Sequence, residues 1–170
     1  FYYLRLEPTL TLVLASSPEA VTPQQEMPLT APGGCAFWAL NPAPVGPLIA
    51  IEWECTAGPT VQVLDTGTGK TRFLLDDATV DNRFLAWEPD GSALYLKAGP
   101  LSNPQVLRVT LRDSYARALS ISPNTYDLNL SPAGDILYAF SNGFGFGSET
   151  WLMEANGRHQ RQVNADVAGI

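Results

Sequence analysis

A chain of 170 residues that is 45% hydrophobic and only 16% charged can bury a substantial core, which argues against intrinsic disorder. The net charge is −7 and only ten residues are Lys or Arg, so no basic cluster is available to neutralise nucleic-acid phosphates. No window of the sequence approaches the roughly 18 consecutive apolar residues that a membrane-spanning helix requires.

From its first residues the chain alternates between short apolar runs and turn residues. The first two runs, YYLRLE and TLTLVLAS, alternate as strands do, and a Pro-rich stretch follows them up to residue 33. The later runs are short, rich in Val, Leu, Ile and aromatic residues, and bounded by Gly, Pro, Asn or Asp: CAFWAL, LIAIEWE, TVQVLD, KTRFLL, RFLAW, SALYLKA, QVLRVTL, ARALSI, TYDLNL, DILYAF, TWLMEA and HQRQV. None of them continues at helical spacing for ten residues, so the sequence predicts an all-β protein with almost no helix.

These runs repeat in groups of four. Arginines in the last run of each group, Arg72, Arg117 and Arg161, are 45 and 44 residues apart. The second run of each group keeps nearly the same spacing, with 45 residues from Ile49 to Leu94 and 43 from there to Leu137. Four short antiparallel strands in a unit of about 40–45 residues is the period of a β-propeller blade.

The first hairpin of each repeat carries a family resemblance. FLAWEPDGSALYL (84–96) and LNLSPAGDILYAF (128–140) resemble the repeat of TolB-like propellers, which are WD-like repeats typical of bacterial envelope proteins. VQVLDTGTGKTRFL (61–74) resembles the third and fourth strands of the same repeat. The resemblance covers about residues 34–164 and implies the fold, but it leaves the activity open because propellers host many unrelated functions. In the first repeat, NPAPVGP (41–47) is interpreted as a longer loop that replaces the tight Pro-x-Gly turn.

The repeat divides the chain into units. We expect blades at 34–79, 80–123 and 124–166, and residues 167–170 would begin a link to the next element. Residues 1–33 would form a half blade, made of strands three and four followed by the Pro-rich connector. Because known propellers close with about four or more blades, the chain is expected to be a segment of a larger propeller or to have its ends covered by a partner.

The sequence contains fragments of catalytic motifs, but none of these motifs is complete. DTGTGK (65–70) contains parts of the aspartic-protease and P-loop motifs, but Leu64 occupies the position of the first P-loop glycine and no second Asp-Thr-Gly is present. Asp65 and its glycines suit a hairpin loop. A single histidine, His159, cannot supply the several His ligands of propeller lyases, and no Gly-x-Ser-x-Gly elbow exists. The sequence therefore predicts no catalytic residue, no metal and no cofactor.

Other polar and aromatic residues have structural interpretations. The four tryptophans, Trp38, Trp53, Trp87 and Trp151, are expected in the core between blades. Glu52 and Glu54 flank Trp53 on one face of a strand, where a solvated edge is expected and a weak cation site is the alternative.

Cys35 and Cys55 leave two possibilities open. They are the only cysteines, and free buried thiols are common in a chain of this size. If a hairpin joins their strands, however, the two side chains lie at the spacing of a cross-strand pair and a disulfide can form. A disulfide would fit an oxidising, extracytoplasmic location such as the periplasm or cell surface.

Two loops are candidates for partner binding. SNGFGFGSET (141–150) exposes Phe144 and Phe146 between glycines, with local packing of both rings as the alternative, and NPAPVGP offers Pro44 and Val45. The sequence thus favours a non-enzymatic interaction or scaffold module that binds a protein or the missing part of its propeller. The alternative function is the propeller of a serine-peptidase-like hydrolase whose catalytic domain is not in this chain.

Overall fold

The structure is a computed structural model that describes residues 2–5, 9–15, 17, 24–75, 81–100, 103–122, 124–141, 148–154 and 156–163. Over these ranges the chain forms 15 β-strands and no helix. The described residues accordingly include no helix of the length and hydrophobicity needed to cross a membrane.

The strands follow one another along the chain with short connections. They are β1 Tyr2–Arg5, β2 Thr11–Leu14, β3 Gln25–Pro28, β4 Cys35–Pro42, β5 Leu48–Cys55, β6 Gly58–Asp65, β7 Lys70–Phe73, β8 Asp81–Trp87, β9 Ala93–Gly99, β10 Gln105–Thr110, β11 Ala116–Ala118, β12 Thr125–Leu130, β13 Ile136–Ser141, β14 Ser148–Met153 and β15 Arg161–Gln162.

The strands form four antiparallel sheets in which spatial order equals chain order. We call β1–β3 the N-terminal sheet, β4–β7 the first blade, β8–β11 the second blade and β12–β15 the third blade. Each blade is a four-stranded meander, which short turns between consecutive antiparallel strands allow. The all-β fold of four-stranded blades predicted from the repeat is thus confirmed.

The N-terminal sheet differs from the expected half blade. It contains a third strand, β3, inside the stretch interpreted as a connector, and this strand pairs with β2 from Thr11–Pro28 to Leu14–Gln25. Sequence reasoning missed it because its residues, QEMP, have three polar or proline positions and only one buried side chain, Met27.

The core consists of apolar layers between neighbouring sheets. The layer between the N-terminal sheet and the first blade contains Leu12, Met27, Leu29, Ile49, Ile51, Trp53 and Leu64. The next layer joins the first and second blades through Ala50, Val61, Val63, Leu74, Trp87, Leu94, Leu96, Val109 and Leu111. The third joins the second and third blades through Tyr95, Val106, Leu128, Ile136, Tyr138 and Met153. Because the middle sheets bury both faces, strands such as LIAI are apolar at every position.

Candidate functional site

The three turns between first and second strands share a Pro-x-Gly sequence and a hydrogen bond between the residues that flank it. Ala43 N donates to Leu48 O, and Glu88 N donates to Ala93 O, each at 2.9 Å; in the third blade Ser131 N donates to Asp135 O, also at 2.9 Å. Between the bonded residues of the three turns lie, in order, Pro44-Val45-Gly46, Pro89-Asp90-Gly91 and Pro132-Ala133-Gly134. The glycines all have left-handed backbones, with φ of 85°, 70° and 87°.

The expectation that NPAPVGP is a longer loop was wrong, because four residues separate Ala43 from Leu48, as four separate Glu88 from Ala93. The expectation that it replaces the tight turn agrees with the structure. Among the described residues, the bonds from Gly91 N to Glu88 O at 2.9 Å and from Gly134 N to Ser131 O at 2.8 Å have no counterpart at Gly46. The neighbouring prolines, Pro42 and Pro47, obscured the Pro-x-Gly sequence of this loop. The spacing of 45 residues from Gly46 to Gly91 could have revealed it, since this is the period of the repeat.

The three turns surround one recess of about 520 Å³. Its lining comes from the ends of the first strands β4, β8 and β12 and from the three turns that follow them: Asn41, Pro42, Pro44, Phe84, Leu85, Ala86, Trp87, Pro89, Leu128, Asn129, Leu130 and Pro132. The equivalent prolines of three successive blades thus face a shared, mostly apolar space. At the tips of the turns Val45 is 61% exposed, and Asp90 and Ala133 are also exposed. We call these turns and the recess the turn rim.

Asp90 has a structural partner within its own turn. Its Oδ1 accepts a hydrogen bond from Ser92 N at 2.9 Å, and this bond lowers the pKa of the carboxyl below its usual range. The equivalent residues, Val45 and Ala133, have no carboxylate. Asp90 therefore stabilises the local turn, as Asp commonly does, and contributes one negative charge to the turn rim.

The carboxylate behind the turn rim, Glu88, is fully engaged. Arg108 donates to it through Nε at 2.6 Å and Nη2 at 2.7 Å, and Tyr95 donates its hydroxyl at 3.1 Å. Burial by itself would raise the pKa of Glu88, but the hydrogen bonds and charge of Arg108 outweigh burial and lower it. Burial, with the negative charge of Glu88, raises the pKa of Tyr95 to about 12. This arrangement fixes the base of the second turn. Both carboxylate oxygens of Glu88 are engaged in hydrogen bonds, which disfavours a role for Glu88 in acid–base chemistry.

The turns of the first two blades touch at Gly91. A Cβ on Gly91 would lie 2.7 Å from Val45 O, whereas a Cβ on Gly46 would meet nothing within 4 Å. Position 91 therefore requires glycine for two reasons: its φ is positive, and a side chain there would prevent the close approach of the two turns.

We expect Gly91→Ala to destabilise the protein more than Gly46→Ala. Both substitutions place a side chain in the left-handed region, which costs about 1–2 kcal/mol, but only Gly91→Ala also displaces the Val45 carbonyl. Urea unfolding of the two variants measures the difference in the free energy of unfolding. Equal losses would show that the two turns do not pack as described.

Glu52 lies in the interface between the first and second blades and is only 9% exposed. Its Oε1 accepts from Asn41 Nδ2 at 3.0 Å and its Oε2 accepts from Phe84 N at 3.3 Å. The expectation of a solvated edge was wrong for Glu52. Strand alternation places Glu52 and Glu54 on one face, but it does not reveal that β8 buries Glu52 while Glu54, beside Arg83 of β8, stays 44% exposed. Burial raises the pKa of Glu52, against the lowering effect of these hydrogen bonds.

This raised pKa predicts a specific pH dependence. Between the ordinary glutamate pKa and the raised value, folded Glu52 keeps a proton that the unfolded chain has released, so its contribution to stability grows as the pH falls through this window. Glu52→Gln should remove that contribution. Urea unfolding from neutral to mildly acidic pH should show the wild type gaining stability relative to the variant; a constant difference would contradict the prediction. The pKa of Glu88 is lowered, so its titration changes the stability only at pH values below the ordinary glutamate pKa, outside the range in which Glu52 acts.

The remaining sequence-predicted residues lie apart from the turn rim or outside the described residues. Phe144 and Phe146 belong to 142–147, which the structure does not describe. Cys35 and Cys55 pair across β4 and β5, with a Cα–Cα distance of 4.0 Å, and their sulfurs are bonded. Pro44 and Val45 are the two predicted partner-binding residues that the structure places in the turn rim.

Asp65, His159 and the tryptophans are also among the residues that the structure describes. Asp65 forms a hairpin turn, in which its Oδ1 accepts from Gly67 N at 2.8 Å. His159 lies in the turn before β15 with a φ of 52°, and its Nδ1 is 2.7 Å from Glu154 Oε1. Within the described ranges no group of three or more His, Cys, Asp or Glu residues could hold a metal.

Trp53 and Trp87 are core residues as expected, whereas Trp38 is 62% exposed and that expectation was wrong.

Solved structures show which fold this arrangement has. The chain is similar to TolB from Acinetobacter baumannii, with 17% identity and a TM-score of 0.61 over 95% of this chain and 39% of that chain. It is similar to a putative TolB from Agrobacterium tumefaciens, with 16% identity and a TM-score of 0.69 over 96% of this chain and 57% of that one. The fold is that of a TolB-like β-propeller.

The likeness extends to propellers of other kinds. A chain from a study of two prolyl endopeptidases has 15% identity and a TM-score of 0.69, over 95% of this chain and 27% of its own length. A chain from a nidogen/laminin complex has 11% identity and a TM-score of 0.64, over 95% of this chain and 60% of its own. Neither a protein-family model nor a curated protein sequence matches the chain. The resemblance is therefore one of β-propeller architecture, and this chain spans between about a quarter and three fifths of these propeller-containing chains.

Proposed function

We propose that the chain is a non-enzymatic interaction module that binds a protein partner through the turn rim. The observation that carries the proposal is the convergence of three equivalent turns on one mostly apolar recess of about 520 Å³. Exposed apolar patches bordered by polar residues commonly mark protein–protein interaction sites. A proline precedes and a glycine with positive φ follows each tip residue, which restricts the backbone of the three turns. The tip residues, Val45, Asp90 and Ala133, differ enough in chemistry to give the surface specificity.

The nearby polar groups support binding rather than catalysis. Glu88 is held by Arg108 and Tyr95, and Asp90 is held by Ser92. A general base or nucleophile must be able to exchange a proton with a substrate, which neither arrangement favours. One of the similar solved chains comes from a nidogen/laminin complex, so propellers of this architecture occur in protein assemblies. Phe144 and Phe146 remain predicted contacts of the same partner.

Site-specific photo-cross-linking tests the proposal. A benzoylphenylalanine at Val45 is expected to form a discrete protein adduct in the native host, and mass spectrometry of the adduct identifies the partner. The matched control is the same photo-residue at Tyr115, which is equally exposed (62%, against 61% for Val45) but lies outside the turn rim. Val45→Asp should then weaken binding of the identified partner. Equal adducts at both positions, or turnover by the isolated chain, would contradict the proposal.

We place the protein in an extracytoplasmic compartment. The support is the Cys35–Cys55 disulfide, since such bonds persist in oxidising compartments and are rare in the cytosol. Alkylation of protein isolated without reductant should leave its mass unchanged, and alkylation after reduction should add two labels. Two labels without reduction would contradict this location.

A second candidate is the propeller of a hydrolase whose catalytic domain lies in another part of the protein. It is favoured by the similarity to a chain from prolyl endopeptidases, of which this chain covers 27%. A fluorophosphonate probe, which labels active serine hydrolases, discriminates the two candidates when it is applied to the natural full-length product. Labelling supports the hydrolase, and its absence supports the interaction module.

A further inference from the structure

Two cations lie side by side on the second blade. Arg83 of β8 pairs in register with Lys97 of β9, so their side chains leave the sheet next to each other on one face. We call these two residues the cation pair. Tyr95, two residues before Lys97 on the same face, belongs to the apolar layer between the second and third blades, so the cation pair leaves the sheet on the side of the third blade. Like charges directly opposite each other destabilise a sheet, and a counter-charge is therefore expected beside them.

The described residues supply little of this counter-charge. Lys97 is half-buried, and it takes part in no ion pair or hydrogen bond with any residue that the structure describes. Arg83 has one distant partner, since its Nη2 lies 3.5 Å from Glu54 Oε2 and both side chains stay nearly half exposed, at 47% and 44%. Burial of the ammonium, together with the positive charge of Arg83, lowers the pKa of Lys97. A partly buried charge without a partner is unfavourable, so an anion at this place would stabilise the folded protein.

The described strand registers contain one other pair of opposed cations, and that pair has a counter-ion. Arg108 of β10 lies opposite Arg117 of β11, and Glu88 accepts two hydrogen bonds from Arg108, at 2.6 and 2.7 Å. A carboxylate therefore offsets the repulsion at this second pair. The comparison indicates what the cation pair lacks, which is a closely bound oxyanion.

The repeat shows where such an oxyanion belongs. Lys97 lies 45 residues after Glu52, and each of them is four residues beyond the residue whose carbonyl closes the turn of its blade. In the first blade this position supplies a carboxylate to the interface with the next blade, where Glu52 accepts from Asn41 Nδ2 at 3.0 Å and from Phe84 N at 3.3 Å. In the second blade the same position carries an ammonium and faces Arg83. The acceptor that Glu52 provides in one interface is thus replaced by a donor in the next.

We propose that Lys97 and Arg83 bind an oxyanion, either a phosphate or a carboxylate group, on the face of the second blade toward the third. The ammonium of Lys97 supplies a compact charge, and the guanidinium of Arg83 supplies a planar set of N–H donors that suits both kinds of oxyanion. The chain has a net charge of −7, so it has no general attraction for anions, and a bound anion must be held by local groups. Neither residue lines the recess of the turn rim, so the proposal does not depend on the proposed function.

NMR of methylated lysines tests the proposal. The chain has only two lysines, Lys70 and Lys97, and reductive methylation with ¹³C-formaldehyde keeps their charge while it gives each a separate signal. Inorganic phosphate or succinate, added at constant pH and ionic strength against sodium chloride as the reference, is expected to shift the Lys97 signal saturably and to raise the pKa of Lys97, because a bound anion favours the charged form. Lys70 is exposed in a hairpin and is the matched control, whose signal should not respond.

The two anions distinguish the two sources of the oxyanion. A saturable response of Lys97 to phosphate alone supports a phosphate ligand, a response to succinate alone supports a carboxylate ligand, and a response to both supports a site that accepts either group. The absence of a saturable shift at Lys97 with both anions, or equal shifts at the two lysines, would overturn the proposal.

Substitutions test the part of Arg83 separately from its contact with Glu54. Arg83→Gln should raise the dissociation constant of the responding anion about tenfold, the usual effect of losing a hydrogen bond to a charged group. Glu54→Gln removes the competing carboxylate and should lower the dissociation constant, whereas Lys70→Gln should leave it unchanged. Circular dichroism verifies that each variant retains its β-structure. If Arg83→Gln and Glu54→Gln weakened binding equally in folded protein, Arg83 would act only through its ion pair and the proposed site would be refuted.

Discussion

Trp87→Ala is expected to lower the free energy of unfolding by about 3–5 kcal/mol, the usual cost of truncating a buried aromatic side chain. Trp87 is 7% exposed and belongs to the layer between the first and second blades, where its ring centroid lies 6.1 Å from that of Phe84. Its Nε1 donates to Asn41 O across the blade boundary at 2.8 Å. The substitution therefore opens a cavity, breaks a bond between blades and removes part of the recess lining.

Trp38→Ala is the matched control for this prediction. Trp38 is 62% exposed on β4, so its truncation should change the free energy of unfolding by no more than about 0.5 kcal/mol. Urea unfolding followed by circular dichroism measures both variants. If Trp38→Ala were as destabilising as Trp87→Ala, the assignment of these two side chains to surface and core would be wrong.

Replacing both Cys35 and Cys55 with serine is expected to cost about 3 kcal/mol, the chain-entropy value for a loop of this size. The disulfide joins residues 20 apart in sequence, at the end of the β4–β5 hairpin opposite the turn rim. Without it the unfolded chain gains freedom while the folded hairpin keeps its register. Thermal or urea unfolding of the double variant measures the loss.

Reduction of the wild type supplies the control for the disulfide. A reductant should destabilise the wild type by about the same amount as the double substitution and should leave the double variant unchanged. Because the bond lies away from the recess, cross-linking at Val45 should persist in the reduced protein under conditions where it remains folded. A wild type whose stability is insensitive to reductant would show that the bond does not constrain the chain.

The sequence revealed two of the three turns of the turn rim. The resemblance of 84–96 and 128–140 to one repeat already made Pro89-Asp90-Gly91 and Pro132-Ala133-Gly134 equivalent turns. Pro44-Val45-Gly46 was missed because two further prolines surround it. Hydrogen bonds from Ala43 N and Glu88 N to carbonyls five residues ahead show that the first two turns have the same length.

The repeat predicted which strands lie between neighbouring sheets, but not the burial of each side chain on them. Trp53 and Trp38 lie on the same hairpin, yet the former is 1% and the latter 62% exposed. Alternation assigns side chains to a face, but what lies across from that face is set by strands distant in sequence. The same limit explains Glu52, whose cover is the backbone of Phe84, 32 residues away.

The sequence by itself determined the blade, because period, strand length and turn residues are local properties that recur every 43 to 45 residues. Only the tertiary structure decided which groups meet: that three turns share one recess, that Glu52 is covered by β8, and that Arg5 pairs with Glu26 across β2. The physical reason is that hydrogen bonding and burial between blades depend on approach in space, which the order of residues within one blade does not encode.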